Sequence, residues 1–317
     1  MSKLLLDNLP VSPVQKLSNK INGNHVYIKR DDLLPYSFGG NKVRKAALFF
    51  EEMRKEKSDI VITYGSSSSN HCRIIANIAS SKKIPCIIIS PVESNFETTN
   101  RRLVRLFGAE IIECPLAEVS NTIDITISNL KKSGKTPYFI QGGGHGNLGT
   151  EAYVQAFNEI LAFEKESSIS FDYIFVTSGT GTTQAGLICG NVLSESKKKI
   201  IGISNARKNP RGSEVVLDSV NEYLKEMVNY TVDEDEVIFT DDYILDGYGS
   251  YNKSLISTIR NIIINEGVPL DTTYTGKGFY GMEKYLQTNN IKNIKVLFIH
   301  TGGTPLLFDN LEELFND

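Results

Sequence analysis

Two neighbouring stretches of this 317-residue chain indicate its fold best: Ile28-Lys29-Arg30-Asp31-Asp32 and, after it, Phe38-Gly39-Gly40-Asn41-Lys42-Val43-Arg44-Lys45. Glycines lack a Cβ and let the backbone approach a ligand closely. A lysine held just beyond such a turn can lose its water, which lowers its pKa and makes the amine nucleophilic. The motif predicts an imine between Lys42 and a carbonyl cofactor. The alternative is a turn that only begins a surface helix with solvated basic residues.

Composition narrows the class of protein. The net charge of −3 argues against non-specific nucleic-acid binding, and no apolar stretch approaches the length of a membrane span, about 20 residues. The apolar run at the N-terminus is too short for a signal peptide. The four cysteines form no CxxC pair and no Cys/His ligand spacing, so we expect no metal site. A cytoplasmic protein with reduced thiols is expected.

Apolar strand patterns alternate with helical patterns along the chain, which predicts parallel sheets covered by helices on both faces. Each glycine-rich turn follows a predicted strand, at the end of the sheet where α/β proteins bind ligands. Residues 1–25 have little periodicity and are predicted to be irregular. The predicted strands are 26–28, 60–64, 86–89, 110–113, 138–140, 173–176, 200–203 and 296–299. The predicted helices are 42–56, 71–82, 100–107, 150–163, one from 184, and others near 213–229 and 253–266.

The turn Ser178-Gly179-Thr180-Gly181-Thr182-Thr183 is the strongest anion signal. It offers successive backbone N–H groups and threonine hydroxyls where a strand leads into a helix, whose dipole favours negative charge. The spacing matches neither a P-loop nor GxGxxG, so a compact phosphate on a small cofactor fits better than a nucleotide. A capping turn without a ligand is the alternative.

A second polar turn, residues 66–69 followed by Asn70 and His71, could bind a carboxylate at a helix start. His71 alone is more often a hydrogen-bonded structural histidine than a catalyst. Tyr248 and Tyr274 lie in predicted glycine-bracketed turns, where a tyrosine either packs or donates a proton.

In chain order, these motifs resemble the D-cysteine desulfhydrase / 1-aminocyclopropane-1-carboxylate deaminase family of pyridoxal-phosphate enzymes, of fold type II and related to the tryptophan synthase β subunit. The resemblance covers about residues 8–310. It implies two three-layer α/β/α domains with mostly parallel sheets and pyridoxal 5'-phosphate between them. The large, cofactor-binding domain would comprise residues 1–45 and 153–317, and the small, substrate-side domain residues 46–152. Relatives commonly form homodimers.

The resemblance also implies residue roles. Lys42 would hold the cofactor as an imine and move a proton at the substrate α-carbon, Asn70 would bond the phenolic oxygen, and Thr275 would meet the pyridine nitrogen. The phosphate would lie in a cup of five residues: Gly179, Thr180, Gly181, Thr182 and Thr183. Thr301 and Gly302 would also contact the cofactor. The residues implied to bind substrate are Ser68, Ser69, His71, Tyr248 and Tyr274, of which Ser69, Tyr248 and Tyr274 would join Lys42 in catalysis.

Two of these residues favour one branch of the family. By the resemblance, the position of Thr275 is a glutamate in the deaminase branch and a threonine in the desulfhydrase branch. The position of His71 is a glutamine in the deaminases and a histidine in the desulfhydrases. Both favour β-elimination from a small amino acid, such as D-cysteine to pyruvate, ammonia and sulfide. The alternatives are β-replacement, as in cysteine synthase, deamination of the cyclopropane substrate, and a ligand-binding homologue without activity. Ser67-Ser68 and Gly143-Gly144-His145 depart from the family pattern, which predicts an enlarged, more polar pocket and leaves the substrate open.

Overall fold

A computed structural model describes residues 9–94 and 96–315. The strands are β1 Val14–Lys16, β2 His25–Arg30, β3 Ile60–Tyr64, β4 Cys86–Pro91, β5 Glu110–Cys114, β6 Pro137–Ile140, β7 Tyr173–Ser178, β8 Lys199–Ser204, β9 Ile238–Thr240 and β10 Lys295–His300. In the described residues, one sheet has six strands in the order β1-β2-β10-β7-β8-β9, and the other has four in the order β5-β4-β3-β6. The helices are α1 Asn41–Lys55, α2 Asn70–Ser81, α3 Thr99–Leu106, α4 Val119–Lys132, α5 Asn147–Ser167, α6 Thr182–Leu193, α7 Arg211–Val228, α8 Lys253–Glu266, α9 Thr275–Thr288 and α10 Thr304–Leu307.

Both sheets are parallel except where β1 pairs antiparallel with β2. In the centre of the larger sheet, Phe298 lies opposite both Ile28 and Phe175. All three side chains are fully buried, as expected for strands covered on both faces. The predicted α/β class with mostly parallel sheets is confirmed.

Helices cover each sheet on both faces. On the six-stranded sheet, α5 and α6 pack through Phe157 and Leu187 on one face, and α8 and α9 pack through Ile259 and Phe279 on the other. On the four-stranded sheet, α1 and α2 form one apolar layer, and α4 forms the opposite one. Each sheet is therefore the middle of three layers.

The two helices that join the sheets contain the predicted domain boundaries. The boundary after residue 45 falls inside α1, and the boundary after residue 152 falls inside α5. All four strands of the smaller sheet lie within residues 46–152. The division itself stays a prediction, and its outermost ends, residues 1–8 and 316–317, lie outside the described residues.

Parts of the predicted element pattern were wrong or incomplete. The lead-in over residues 1–25 is not wholly irregular, because β1 pairs with β2 at its centre; its first eight residues lie outside the described part. Helices α4, α9 and α10 and strand β9 were not predicted. Tyr274 lies at the start of α9 rather than in an isolated turn.

Within residues 9–94 and 96–315, no helix has the length and apolar character needed to cross a bilayer. The same residues contain no group of three or more metal-ligating side chains placed to hold an ion. Cys72, Cys86, Cys114 and Cys189 are buried free thiols.

Candidate active site

A cavity of about 1120 Å³, open to solvent, lies where the carboxyl ends of both parallel sheets meet. Its walls include Tyr64 after β3, Gly142 after β6, Asn205 after β8 and Thr301 after β10. Lys42 extends into it from the start of α1.

The glycine turn before Lys42 is shaped by a close backbone contact. Gly40 has φ = 105°, and a Cβ on it would lie 2.6 Å from the carbonyl oxygen of Thr301. The next amide, of Asn41, donates to that same oxygen at 2.9 Å. A side chain at position 40 is excluded, so the start of α1 is fixed against the loop after β10.

Lys42 is partly buried, and its Nζ donates to the Gly143 carbonyl oxygen at 2.9 Å. Burial lowers the pKa of Lys42 to about 8. Near neutral pH this amine is therefore much more often unprotonated than an ordinary lysine, as a nucleophile toward an aldehyde requires.

The charged residues around the lysine motif form a buried ion network. Asp31 accepts hydrogen bonds from Arg44, from Tyr153 at 2.6 Å and from Ser12 at 2.6 Å. Arg44 also pairs with Glu159 on α5 at 2.6 Å. Burial alone would raise the pKa of Asp31, but the charges of Arg44 and Lys29 and the hydrogen bonds from Arg44 and Ser12 together outweigh it and hold that pKa at about 2. The network fixes α1 against α5 and leaves Lys42 outside it.

The loop before α6 has the features of a phosphate site. Gly181, with φ = 97°, precedes the first helical residue, and the Thr183 hydroxyl accepts from Asn41 at 3.0 Å. Lys45 is fully buried, and its Nζ donates to the Thr182 hydroxyl at 2.5 Å. Burial, together with the charge of Lys42, lowers the pKa of Lys45 well below its usual range. Among the described residues, no carboxylate pairs with Lys45.

A second observation supports an anion in this loop. The Oγ of Ser178 is buried, lines the cavity and has no hydrogen-bond partner in the described part of the chain. A buried hydroxyl without a partner is costly, and a phosphate oxygen would satisfy it. The residues present therefore fit the phosphate of the predicted cofactor.

Side chains at the start of α2 form the opposite wall. Ser69 caps this helix, its Oγ accepting the Cys72 amide at 3.2 Å, so its hydroxyl proton remains available. The side-chain oxygen of Asn70 accepts from Asn100 at 2.9 Å. Asn70 therefore directs its NH₂ group elsewhere, as a donor to an oxygen such as the phenolic oxygen of the cofactor.

The hydrogen bonds of Thr63 fix the tautomer of His71. The Thr63 hydroxyl has one proton, which it donates to the Ile140 carbonyl at 2.8 Å. Its 2.8 Å contact with His71 is therefore one in which His71 Nε2–H donates. The Nδ1 of this cavity-lining ring carries a lone pair and has no partner among the described residues. Burial, with the charges of Lys42 and Lys45, lowers the pKa of His71 well below its usual range.

This tautomer changes the role predicted for His71. A bare lone pair repels a carboxylate and accepts a proton or a hydrogen bond instead. His71 is thus equipped to accept a hydrogen bond from an amine or thiol in the cavity, while its lowered pKa keeps the ring neutral.

Two tyrosines form the third wall. Their hydroxyl oxygens, on Tyr248 and Tyr274, are 2.6 Å apart. Tyr248 belongs to a loop held by the fully buried Lys277, whose Nζ donates to the carbonyl oxygens of Ile244 at 3.0 Å and of Gly247. Lys277 lies one helical turn after Tyr274, so one helix start positions both phenols.

Most of the predicted site residues are brought together around this cavity, while four lie outside its lining. Those that line it are Lys42, Ser69, Asn70, His71, Gly179, Thr180, Gly181, Thr183, Tyr248, Tyr274 and Thr301. The four outside are Ser68, Thr182, Thr275 and Gly302. Ser68 instead reaches Tyr248 at 3.3 Å, and Thr182 contacts Lys45.

Thr275 is fully buried, and its hydroxyl donates to Asp271 at 2.7 Å. Its proton is therefore committed to a carboxylate, and no contact in the structure supports the role assigned to it at the pyridine nitrogen. That role stays a prediction.

Neither Ser67 nor Ser68 lines the cavity, so no contact in the structure supports the predicted enlargement of the pocket, which stays a prediction. The Ser67 hydroxyl donates to the Ser94 carbonyl at 2.6 Å and accepts from the Phe96 amide. These two hydrogen bonds hold the loop after β4. His145 also lies outside the lining of the main cavity.

Lys45 and Arg207 were not predicted from the sequence. Lys45 follows Lys42 by three positions on one helix and so faces the same side, a spacing that could have revealed it. Arg207 lines the cavity from the irregular loop after β8, where no motif marks it.

Comparisons with known proteins agree with this geometry. The family described as pyridoxal-phosphate dependent enzyme matches residues 3–302. A D-cysteine desulfhydrase of Serratia proteamaculans is 32% identical over 94% of this chain and 92% of its own length, and one of Yersinia enterocolitica is 31% identical over the same shares. A crystal structure of an ACC deaminase homologue has a TM-score of 0.87 and 30% identity, covering 96% of this chain and 93% of that one. On the match over nearly its whole length, this chain belongs to the family of pyridoxal-phosphate dependent enzymes.

Proposed function

We propose that this enzyme eliminates a β-substituent from a small amino acid, in the manner of a D-cysteine desulfhydrase. With D-cysteine and water, the products would be pyruvate, ammonia and sulfide. The observation that carries the proposal is the single cavity in which the amine of Lys42 meets Ser69, His71 and the tyrosine pair. The names of the relatives from Serratia and Yersinia support it.

Bound pyridoxal phosphate supplies an aldehyde and an electron-accepting ring that stabilises negative charge at the α-carbon. Lys45, Thr183 and the N–H groups of residues 179–183 would hold its phosphate, and Asn70 would donate to its phenolic oxygen. Lys42, with its pKa near 8, would take the proton from the substrate α-carbon and return it.

The remaining walls would handle the substrate. Ser69 and the first amides of α2 would bind its carboxylate, because a helix N-terminus favours an anion. Burial raises the pKa of Tyr274 well above its usual range, so its phenol stays protonated and could donate to the leaving group. His71 Nδ1 would accept a hydrogen bond from the substrate amine or thiol and so orient it.

The proposal includes the domain division at residues 46–152 and a homodimer in the cytoplasm, both as the family resemblance implies. Light scattering of the purified protein tests the dimer, which a mass near 35.2 kDa would contradict.

The experiment is to add pyridoxal phosphate to the purified protein, record the visible absorption of the bound cofactor, and measure pyruvate and sulfide from D- and L-cysteine. Lys42→Ala should lose both the absorption and the products. Lys55→Ala is the matched control, because Lys55 is an exposed lysine of the same helix. Wild-type protein that absorbs but releases no pyruvate from either enantiomer or from β-chloroalanine would overturn the elimination.

Deamination of 1-aminocyclopropane-1-carboxylate is the second candidate, because the solved structure at a TM-score of 0.87 is described as a homologue of that deaminase. Release of 2-oxobutyrate from the cyclopropane substrate, faster than pyruvate from any β-substituted amino acid, would favour it.

A further inference from the structure

The main cavity contains an arginine, Arg207, whose charge is paired neither by the proposed cofactor site nor by the proposed site for the substrate α-carboxylate. Its lining includes two basic side chains, Lys42 and Arg207, and no aspartate or glutamate. Arg207 is half-buried, and among the described residues its guanidinium makes no hydrogen bond or ion pair. A partly desolvated arginine without a partner favours an anion, and its planar donors suit carboxylate, sulfate or phosphate.

The groups around Arg207 do not neutralise it. It borders a smaller adjoining cavity together with Tyr64, His145, Arg211 and Asp218. No ion pair within 4 Å joins Arg207 to Asp218, whereas Arg211 pairs with Glu214 at 3.7 Å. Burial and the charge of Arg211 both lower the pKa of Arg207, as expected for a cation that lacks a counter-ion.

In the proposed function the other anions of the reaction have partners. The loop before α6, with Lys45 behind it, would hold the phosphate, and the start of α2 would hold the α-carboxylate. Arg207 belongs to neither element, because it lines the cavity from the loop after β8, as does Tyr64 at the end of β3. What is left for it to bind is the far end of the substrate side chain.

We propose that Arg207 is a specificity-determining residue that binds a negatively charged β-substituent, so that the preferred substrates are small amino acids carrying a β-sulfate, β-phosphate, β-sulfonate or β-carboxylate group. This rests on the proposed elimination and replaces cysteine by an anionic substrate class. Of these, the sulfate, phosphate and sulfonate compounds can be eliminated, because each group leaves Cβ with the bonding electron pair, whereas a β-carboxylate cannot leave and aspartate is an unreactive binding analogue. With serine O-sulfate, the Cα–H and Cβ–O bonds break and one water is consumed. The products are pyruvate, ammonium, sulfate and one proton, which balances atoms and charge without an oxidant or reductant.

Binding is tested first, without turnover. The cofactor-loaded protein is titrated by calorimetry with aspartate and with its neutral isostere asparagine, each as both enantiomers. We expect one enantiomer of aspartate to bind at least tenfold more tightly than the matching asparagine, and Arg207→Gln to reduce that preference below twofold. Arg211→Gln, which removes an exposed cation of the adjoining cavity, should keep it. Equal binding of aspartate and asparagine by the wild type would overturn the proposal.

Turnover is tested with serine O-sulfate and the neutral β-chloroalanine. Arg207→Gln should raise KM for serine O-sulfate about tenfold or more and change KM for β-chloroalanine less than twofold, while Arg207→Lys should be intermediate. A weakened affinity of Arg207→Gln for pyridoxal phosphate, with both KM values raised alike, would place Arg207 on the cofactor phosphate and refute the proposal. Pyruvate from neither compound would refute the elimination itself, and the aspartate titration would still decide the anion site.

Discussion

The hydroxyl oxygens of Tyr248 and Tyr274 lie 2.6 Å apart, although the first tyrosine is in an irregular loop and the second begins α9. Tyr248 is 47% exposed, whereas the phenol of Tyr274 is enclosed enough for burial to raise its pKa well above the usual range. The pair therefore connects an inner proton donor to solvent.

Tyr274→Phe should lower kcat for elimination by about 100-fold or more, because general acid catalysis is worth about 10²–10⁴ in rate. Stopped-flow measurement of pyruvate release would show it, with the bound-cofactor absorption unchanged. Tyr248→Phe is the matched control, and we expect a loss below about tenfold, since solvent replaces its hydroxyl. A Tyr274→Phe variant with full kcat would remove this residue from the reaction.

The rate at which the protein captures pyridoxal phosphate should rise with pH to a plateau, with a midpoint near pH 8. The pKa of Lys42 is lowered to about 8, and only the unprotonated amine attacks the aldehyde. Absorbance measured after mixing at pH 6–10 gives the midpoint. A midpoint near 10, as for a solvated lysine, would contradict the burial argument.

Lys45→Met should weaken binding of pyridoxal phosphate at least tenfold, because Lys45 is the buried amine beside the phosphate loop. Burial lowers the pKa of Lys45 and so favours its neutral form, whereas a phosphate dianion favours the ammonium form. The wild type should therefore take up more protons than the variant on binding. Calorimetry in two buffers of different ionisation enthalpy measures that difference. Pyridoxal, which lacks the phosphate, is the control ligand and should show none. Equal proton uptake by both proteins with pyridoxal phosphate would argue against a phosphate contact.

In ¹⁵N NMR spectra of the wild type, His71 should show a protonated Nε2 and a bare Nδ1 across the neutral pH range. Thr63→Val, which keeps the shape but removes the hydroxyl, should lose this preference, while Thr63→Ser should keep it. A protonated Nδ1 in the wild type would reverse the role assigned to His71.

Arg44→Ala should destabilise the protein by about 3–5 kcal/mol, because it leaves the fully buried Asp31 without its ion-pair partner, although Glu159 keeps its pair with Lys29. Urea denaturation at pH 7 measures the change. Arg105→Ala, which removes an exposed pair with Glu97, should cost less than about 1 kcal/mol.

The same network predicts a pH dependence. Asp31 has a folded pKa of about 2 against an ordinary value of 3.8, so its stabilising contribution is present above about pH 4. It should be lost as the pH falls toward 2. A wild-type stability that does not decrease between pH 4 and pH 2 would contradict this.

The sheet framework could be predicted from the sequence because buried parallel strands appear as continuous apolar runs, such as Ile87-Ile88-Ile89 and Leu297-Phe298-Ile299. Helix α9 could not, because Gly276, Gly278 and Gly281 look like breakers. In the structure they are packing positions: a Cβ on Gly278 would lie 2.1 Å from the Thr177 hydroxyl. The close packing of α9 against β7 therefore outweighs the low helix propensity of these glycines.

The site was predictable where motif and geometry coincide, as at Lys42 and the loop before α6. It was not predictable where function depends on long-range placement. Arg207 reaches the cavity from a loop without any pattern, and the tautomer of His71 depends on Thr63 and Ile140, on two neighbouring strands.

Strand β10 lies between β2 and β7, and the loop after it supplies the Thr301 oxygen against which Gly40 rests. A nascent chain that has not yet emerged from the ribosome through residue 301 contains Lys42 but lacks the contact that fixes the start of α1. The reactive amine is therefore positioned only after residues 295–301 have joined the sheet, and a product truncated before residue 295 would lack a competent site even with every other catalytic side chain present.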